Sequence, residues 1–247
     1  MEYIAYIITA VLAIILGQAT KHLCRKMPPW VSEEISFKEY MESLKTDFKL
    51  DIKYTIIYLI LFYGLNFVLG VGYQSYLYMI CIFSLAIVFS IDYRFTLIPD
   101  ECHIIIAVIG AVNLLFNLSN WNSYLLGAII GGGSFYVLGL LALLIYKKEG
   151  MGFGDVKLMA SLGFLFGLKT ILVITILSFA IAAVISIILI ALKKKTVDSY
   201  IPFGPFIVIA VVLIMFFGEQ VFISMYYNFC MWLGTGITDI IFKLTNN

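Results

Sequence analysis

Long apolar runs separated by short polar segments dominate this chain. Several runs reach about 18–25 residues, the length that a helix needs to cross roughly 30 Å of hydrocarbon. The runs predict spans near 3–20, 54–70, 74–91, 102–118, 123–146, 156–167, 170–192 and 203–218, with an ambiguous stretch near 221–242. The pattern therefore predicts an all-α, polytopic transmembrane helical bundle of about eight spans, or nine if the ambiguous stretch also crosses.

Composition supports this interpretation and excludes a soluble domain. Hydrophobic residues make up 62% of the 247 positions and charged residues 13%, with a mean hydropathy of +1.03. A soluble domain of this size could not hide so much apolar surface. The longest hydrophilic segment, roughly 21–53, divides the chain into a first span plus loop (1–53) and a membrane core with C-terminal spans (54–247).

The distribution of basic residues predicts the orientation of the bundle. An outside N-terminus makes 21–53, 92–101, 147–155 and 193–202 the inside loops. Together with Lys157 at the inner end of its span, these loops hold all of the sixteen Lys and Arg residues except Lys169 and Lys243. Inside loops of membrane proteins carry this excess of positive charge. The first run lacks a preceding basic region, so we expect a retained span rather than a cleaved signal.

Several other kinds of site lack support in the sequence. The four cysteines are scattered without a C-x-x-C pair, and the two histidines have no carboxylate or cysteine at ligand spacing, so no metal site is predicted. His22 and His103 are expected to be loop or interfacial residues. The run Gly131–Gly133 lies inside an apolar segment and indicates close helix packing rather than a phosphate loop. No feature predicts a nucleic-acid partner.

Two acidic residues follow the span that ends near residue 91. Asp100 comes directly after Pro99 and before an apolar run, so a helix cap explains it. Asp92 sits at the end of a span, where the helix dipole disfavours a negative charge. An ionisable group in this position is costly unless it is paired, hydrated or functional. Asp92 is therefore the stronger candidate for a catalytic residue.

A third acidic residue, Asp155, opens another apolar stretch. It follows Gly150, Gly152 and Gly154, three glycines in five residues. Such a segment allows a second chain to approach the backbone beside the carboxylate, as an extended peptide substrate must. A flexible turn with a helix-capping aspartate explains the same pattern, and the spacing alone does not separate the two interpretations.

Two carboxylates brought together predict one kind of chemistry. Close like charges cannot both ionise cheaply, so the pair shares a proton. The ionised member can take a proton from water that attacks a peptide carbonyl, while the protonated member donates to the developing oxyanion. We expect Asp92 and Asp155 to come within about one water of each other in the active form.

Three stretches, in order, resemble the type IV prepilin peptidases, the bacterial members of the glycine-x-glycine-aspartate membrane proteases. Asp92 with Leu97–Asp100 resembles the first-aspartate motif of that family. Glu149–Leu158 resembles the second motif, and Ile201–Phe206 resembles the proline-glycine segment near the family's C-terminal end. The interval of 63 residues between Asp92 and Asp155 also suits the family. The resemblance covers roughly residues 75–215.

The resemblance implies cleavage of the basic leader from type IV prepilins or pseudopilins at the cytosolic face of a bacterial inner membrane, serving pili, secretion or DNA uptake. It implies catalytic roles for Asp92 and Asp155. Substrate-binding or site-shaping roles follow for the other matched positions: Pro99, Gly152, Gly154, Lys157, Pro202, Gly204 and Pro205. Peptidase activity needs no cofactor. S-adenosylmethionine is implied only if the chain also methylates the new N-terminus, for which no site is identifiable.

The sequence departs from the family in its first cytosolic loop, where many members carry two zinc-binding C-x-x-C pairs and this chain has none. Three alternatives compete with the peptidase interpretation. A proton-coupled transporter would explain buried acids but not the glycine-rich motif, and a catalytically silent membrane subunit of a pilus or secretion machine is the second. The presenilin group shares the second motif, but Ile91 precedes Asp92 here where that group has tyrosine.

Overall fold

Helices make up all the regular structure that can be described. A computed structural model describes residues 2–32, 52–147, 151–193 and 201–231, and no strand occurs among them. The α-helices are α1 (Glu2–Ser32), α2 (Ile52–Leu69), α3 (Tyr73–Phe95), α4 (Asp100–Phe116), α5 (Trp121–Tyr146), α6 (Phe153–Phe166), α7 (Leu168–Ala191), α8 (Gly204–Phe217) and α9 (Glu219–Met231). A 3₁₀ turn, Leu118–Asn120, precedes α5. The predicted all-α class is confirmed.

The described residues do not confirm the predicted number of membrane spans. Within the described residues, five helices (α1, α2, α3, α5 and α7) are long and apolar enough to cross a membrane, or six spans if the bent pair α8–α9 counts as one. Helix α4 has 17 residues, and α6 and α8 have 14 each. A helix of that shorter length is about 21 Å long, less than the roughly 30 Å of hydrocarbon. The prediction of about eight spans is therefore not confirmed.

The predicted span boundaries agree with the helix ends in some places and differ from them in others. Helix α1 continues beyond the expected span, which ends near residue 20, as far as Ser32. The ambiguous stretch near 221–242 is helical up to Met231, and its remainder lies outside the described residues. Residues 33–51, in the predicted first loop, also lie outside them. The division of the chain at residue 53 stays a prediction.

Helix α3 lies at the centre of one half of the bundle. Half of its span is buried, against 22% of the spans in α2 and α7. It packs against α1, α2, α4 and α8, whereas α6 packs against α4, α5 and α7. Helix α4 therefore joins two groups of helices, one around α3 and the other around α6.

Helices α5 and α6 approach closely because glycines line their contact. A Cβ atom on Gly163 would lie 2.0 Å from the carbonyl oxygen of Gly127, and one on Gly131 would lie 2.6 Å from the carbonyl oxygen of Met159. Gly132 is similarly close to Ala160 on α6. The packing role predicted for this glycine run is confirmed at Gly131 and Gly132; a Cβ on Gly133 would meet nothing within 4 Å. Small residues allow such backbone contact between membrane helices.

Glycine also determines where α8 ends. Gly218 has a φ of +74°, in the left-handed region that favours glycine. The axes of α8 and α9 differ by 103° across this residue. The apolar segment after residue 203 therefore does not continue as one straight helix, which is why α8 is short.

Candidate active site

Asp92 lies in the last turn of α3 and is only 4% exposed. The backbone N–H of Gly204, the first residue of α8, donates a hydrogen bond of 2.9 Å to its Oδ2 atom. Free N–H groups and the positive end of the helix dipole are found at a helix N-terminus, where they stabilise anions. The unfavourable position of Asp92 at the end of its own helix is thus offset by the start of another helix.

Asp155 is the third residue of α6 and is 5% exposed. Its Oδ1 atom is buried and has no hydrogen-bond partner in the described part of the chain. The other oxygen lies beside Gly152, the residue that precedes α6, whose backbone interacts with the carboxylate. Capping of the start of α6 thus accounts for only one of the two carboxylate oxygens of Asp155. An unpartnered oxygen of this kind is costly to bury, and a catalytic role is one explanation for it.

The structure brings the two predicted aspartates to one place. Asp92 is close enough for its charge to act on Asp155, and no direct hydrogen bond joins their carboxyl groups among the contacts of these two residues. The last turn of α3 and the first turns of α6 and α8 meet here. That the carboxyl groups of Asp92 and Asp155 come within about one water of each other in the active form stays a prediction.

Two of the predicted glycines make close contacts at this meeting point. A Cβ atom on Gly204 would lie 2.5 Å from Oδ2 of Asp92, far inside contact distance. A Cβ atom on Gly154 would lie 3.1 Å from Cβ of Ile98, in the turn between α3 and α4. Gly152 is less restricted, since the nearest atom to its Cβ position, Oδ2 of Asp155, would be 3.5 Å away.

The predicted prolines lie at the starts of two helices. Pro99 is buried and directly precedes α4, with a φ of −64°. Pro205 is buried in the first turn of α8, where its missing N–H costs no helical hydrogen bond. Pro202 is half-buried in the segment before α8. All three thus help to fix the helix starts that surround the carboxylates.

Lys157 contacts a residue whose role the sequence did not reveal. Its Nζ atom donates a hydrogen bond of 2.7 Å to Oδ1 of Asp100. This bond holds the pKa of Asp100 below its usual value, because Lys157 stabilises the ionised carboxylate. The prediction that Asp100 caps a helix is wrong, since Asp100 is itself the first residue of α4 and the residue before it makes no side-chain cap. The partner of Asp100 is instead Lys157, which is 57 positions away in sequence but close in space.

His103 also differs from its expected position. The imidazole is buried, with 7% exposure, and neither ring nitrogen has a hydrogen-bond partner in the described residues. Its Nε2 atom lies 3.9 Å from Oδ1 of Asp100. The loop position is wrong, because this residue lies in the first turn of α4 and is buried; an interfacial position stays a prediction. His22 belongs to α1, and its side chain is outside the described set.

No group of three or more His, Cys, Asp or Glu side chains that could hold a metal ion occurs in the described residues.

The described features define a class: a multi-pass helical membrane protein with two buried carboxylates where three helix ends meet. Comparison with known proteins is more specific. Residues 79–189 match the model of the type IV leader peptidase family, a segment that includes both Asp92 and Asp155. The resemblance predicted from the motifs is therefore confirmed.

Curated relatives agree with this match. The chain is 35% identical over 152 residues to a prepilin leader peptidase/N-methyltransferase of Xanthomonas campestris pv. campestris, covering 61% of this chain and 53% of the relative. Proteins of the same name from Pseudomonas aeruginosa and Legionella pneumophila are 29% and 31% identical, covering 62% and 66% of this chain and 53% and 56% of theirs. The chain thus spans about half the length of these relatives. No solved structure was found that matches it.

Proposed function

We propose that this chain is an intramembrane aspartyl endopeptidase that removes the basic leader peptide from type IV prepilins or pseudopilins. The observation that carries the proposal is the pair of buried carboxylates, one of them with an unpartnered oxygen, inside the segment that matches the leader peptidase family. The names of the relatives support prepilins as substrates.

The surroundings of the two carboxylates support a division of roles. The N–H of Gly204 favours negative charge on Asp92. The unpartnered Oδ1 of Asp155 suits a proton shared by the pair, because a neutral carboxyl is less costly to bury than a charged one. Asp92 then acts as the general base on water and Asp155 as the acid that donates to the carbonyl oxygen of the scissile bond. The proton returns through the pair when the leaving amine is protonated.

The substrate backbone reaches the pair from the glycine-rich side of α6. Gly152 is exposed, and a Cβ atom there would be in ordinary contact with the Asp155 carboxylate. An extended peptide can therefore lie beside this backbone without a side chain intervening. Residues at the starts of α4, α6 and α8 shape the site, and Lys157 lies at its edge.

Location and cofactor use are also part of the proposal. The excess of basic residues in the predicted inside loops supports a cytosolic site in a bacterial inner membrane, which is the side where a basic leader would remain. Peptidase chemistry of this kind requires no cofactor. S-adenosylmethionine is needed only if the chain also methylates the new N-terminus, and the names of the relatives are the reason to test for that activity.

Co-expression with prepilins from the same genome tests the proposal. Leader removal is followed by gel shift for the wild type, Asp92→Asn and Asp155→Asn, with membrane levels of each variant measured. Glu219→Gln is the matched control, because Glu219 is an acidic residue beyond the opposite end of α8. We expect cleavage by the wild type and the control and none by the two aspartate variants.

Cleavage by either aspartate variant would contradict the two-carboxylate mechanism and make that residue structural. Wild-type protein that leaves several prepilins uncut would contradict the peptidase proposal itself. A transporter or a silent subunit would then be the better interpretation.

A further inference from the structure

Two contacts on either side of Asp155 tie the start of α6 to the turn that leads into α4. Before Asp155, the backbone of Gly154 packs on the side chain of Ile98. After it, Nζ of Lys157 is 2.7 Å from Oδ1 of Asp100. The carboxylate of Asp155 thus lies between an apolar contact and an ion pair made to the same short segment.

That segment is also rigidly connected to Asp92. Thr96 has a left-handed backbone conformation, with a φ of +54°, and its N–H donates a hydrogen bond of 2.9 Å to the carbonyl oxygen of Asp92. Pro99, with its ring-restricted φ, fixes the start of α4. Only seven residues separate Asp92 from Asp100 in the chain, so a shift of Asp100 relative to α6 also shifts Asp92 relative to Asp155.

We propose that Lys157 and Asp100 form a positioning pair that fixes the separation of the two aspartates. The pair rests on the proposed peptidase function but acts through geometry alone, without contact with the substrate. Lys157 is held for this task on two sides, since its ammonium lies 5.4 Å from the ring centroid of Phe153 as well as beside Asp100. Asp100 is 64% exposed, and exposed ion pairs contribute little to stability. Removing the pair should therefore alter the site more than the fold.

Cross-linking tests this geometry without reference to activity. Ile98→Cys and Gly154→Cys, in a background without the native cysteines, place two Cβ positions 3.1 Å apart, so a small opening of this contact reaches the roughly 3.5–4.5 Å that a disulfide spans. We expect Lys157→Gln to slow disulfide formation by about tenfold. Lys169→Gln is the matched control, because it breaks the 2.9 Å ion pair with Glu219 at the opposite end of the bundle. Equal rates in all three backgrounds would overturn the proposal.

Kinetics on the purified protein and a prepilin substrate provide the second test. Asp100→Asn and Lys157→Gln should each lower kcat by about tenfold or more, with KM within about twofold of the wild-type value. Lys157→Arg keeps the ion pair and should retain kcat within about threefold, as should Lys169→Gln. Thermal midpoints should remain close to that of the wild type throughout.

The possible results separate this inference from the proposed function. Unchanged kcat in both Asp100→Asn and Lys157→Gln would overturn the positioning role. A tenfold loss in Lys157→Arg would also overturn it, because the ammonium would then be acting on the substrate or the reacting atoms. If wild-type protein cuts no prepilin, the proposed function fails, while the cross-linking rates still decide whether the pair holds α4 to α6.

Discussion

Replacing Gly204 with alanine is a direct test of how closely Asp92 is held. The added Cβ atom would lie 2.5 Å from Oδ2 of Asp92 and 3.1 Å from its Cγ, whereas ordinary contact begins at 3.4 Å. The carboxylate or the start of α8 must therefore move by about 0.9 Å, the difference between the contact distance and the Oδ2 distance. The substitution keeps the N–H that donates to Asp92, so it changes the geometry and not the number of donors.

The expected effect on activity is large and the effect on stability is small. A displacement of about 1 Å in a catalytic group can cost about 100-fold in rate, so we expect kcat for leader cleavage to fall by roughly that factor. The nearest atom to the new Cβ is the end of the Asp92 side chain, which can shift at lower cost than backbone. The thermal midpoint should consequently change little.

Leader cleavage by purified protein, with a thermal melt of the same sample, measures both quantities. Gly133→Ala is the matched control, since it is the same substitution within a helix but its Cβ would meet nothing within 4 Å. The reasoning is refuted if Gly204→Ala keeps kcat within about threefold of wild type. It is also refuted if the control loses as much activity as the test variant.

Three further predictions concern stability. Gly163→Ala should lower the unfolding free energy by about 1–3 kcal/mol or more, because its Cβ would lie 2.0 Å from the carbonyl oxygen of Gly127. The thermal midpoint should fall accordingly, and a midpoint equal to that of Gly133→Ala would contradict the close contact. Asp155→Asn should abolish cleavage yet raise the midpoint at pH 8, since it removes a buried carboxylate with an unpartnered oxygen; a fall of several degrees would contradict this. Asp100→Asn should lower unfolding free energy by less than about 1 kcal/mol at pH 7. Because the pKa of Asp100 is lowered in the folded state, this difference should begin to shrink once the pH falls below about 4, the usual range of an aspartate, and should be lost as the pH falls through the lowered folded-state pKa; a difference that does not shrink as the sample is acidified would refute it.

The sequence predicted the helices better than the number of spans. Hydropathy located every described helix from α2 to α8 within a few residues, because the cost of exposing backbone polar groups to lipid makes an apolar run helical. It could not distinguish a helix that crosses the bilayer from one that stops part of the way. Gly167, φ +83°, and Gly218, φ +74°, end α6 and α8 at breaks that the predicted spans also contain, but hydropathy alone counted each short run as a full crossing.

The chemistry of the site was predictable only in part. Asp92 stood out because its own helix dipole disfavours it, but no local pattern indicates that the N–H of Gly204, 112 positions away, stabilises it. The predictions for Asp100 and His103 missed their actual surroundings for the same reason. A helix cap and a loop histidine are explanations drawn from neighbouring residues, whereas the actual contact of Asp100 is with Lys157 on another helix.

The short helices that leave the predicted span count unconfirmed also form the candidate site. Helices α6 and α8 have 14 residues each and are therefore about 21 Å long. Both begin at the level of the last turn of α3. A full-length helix would present side chains and paired backbone groups at that depth, with no free N–H to donate. Because α8 starts there instead, its first N–H can stabilise Asp92, and because α6 starts there, Asp155 is placed beside an exposed glycine backbone.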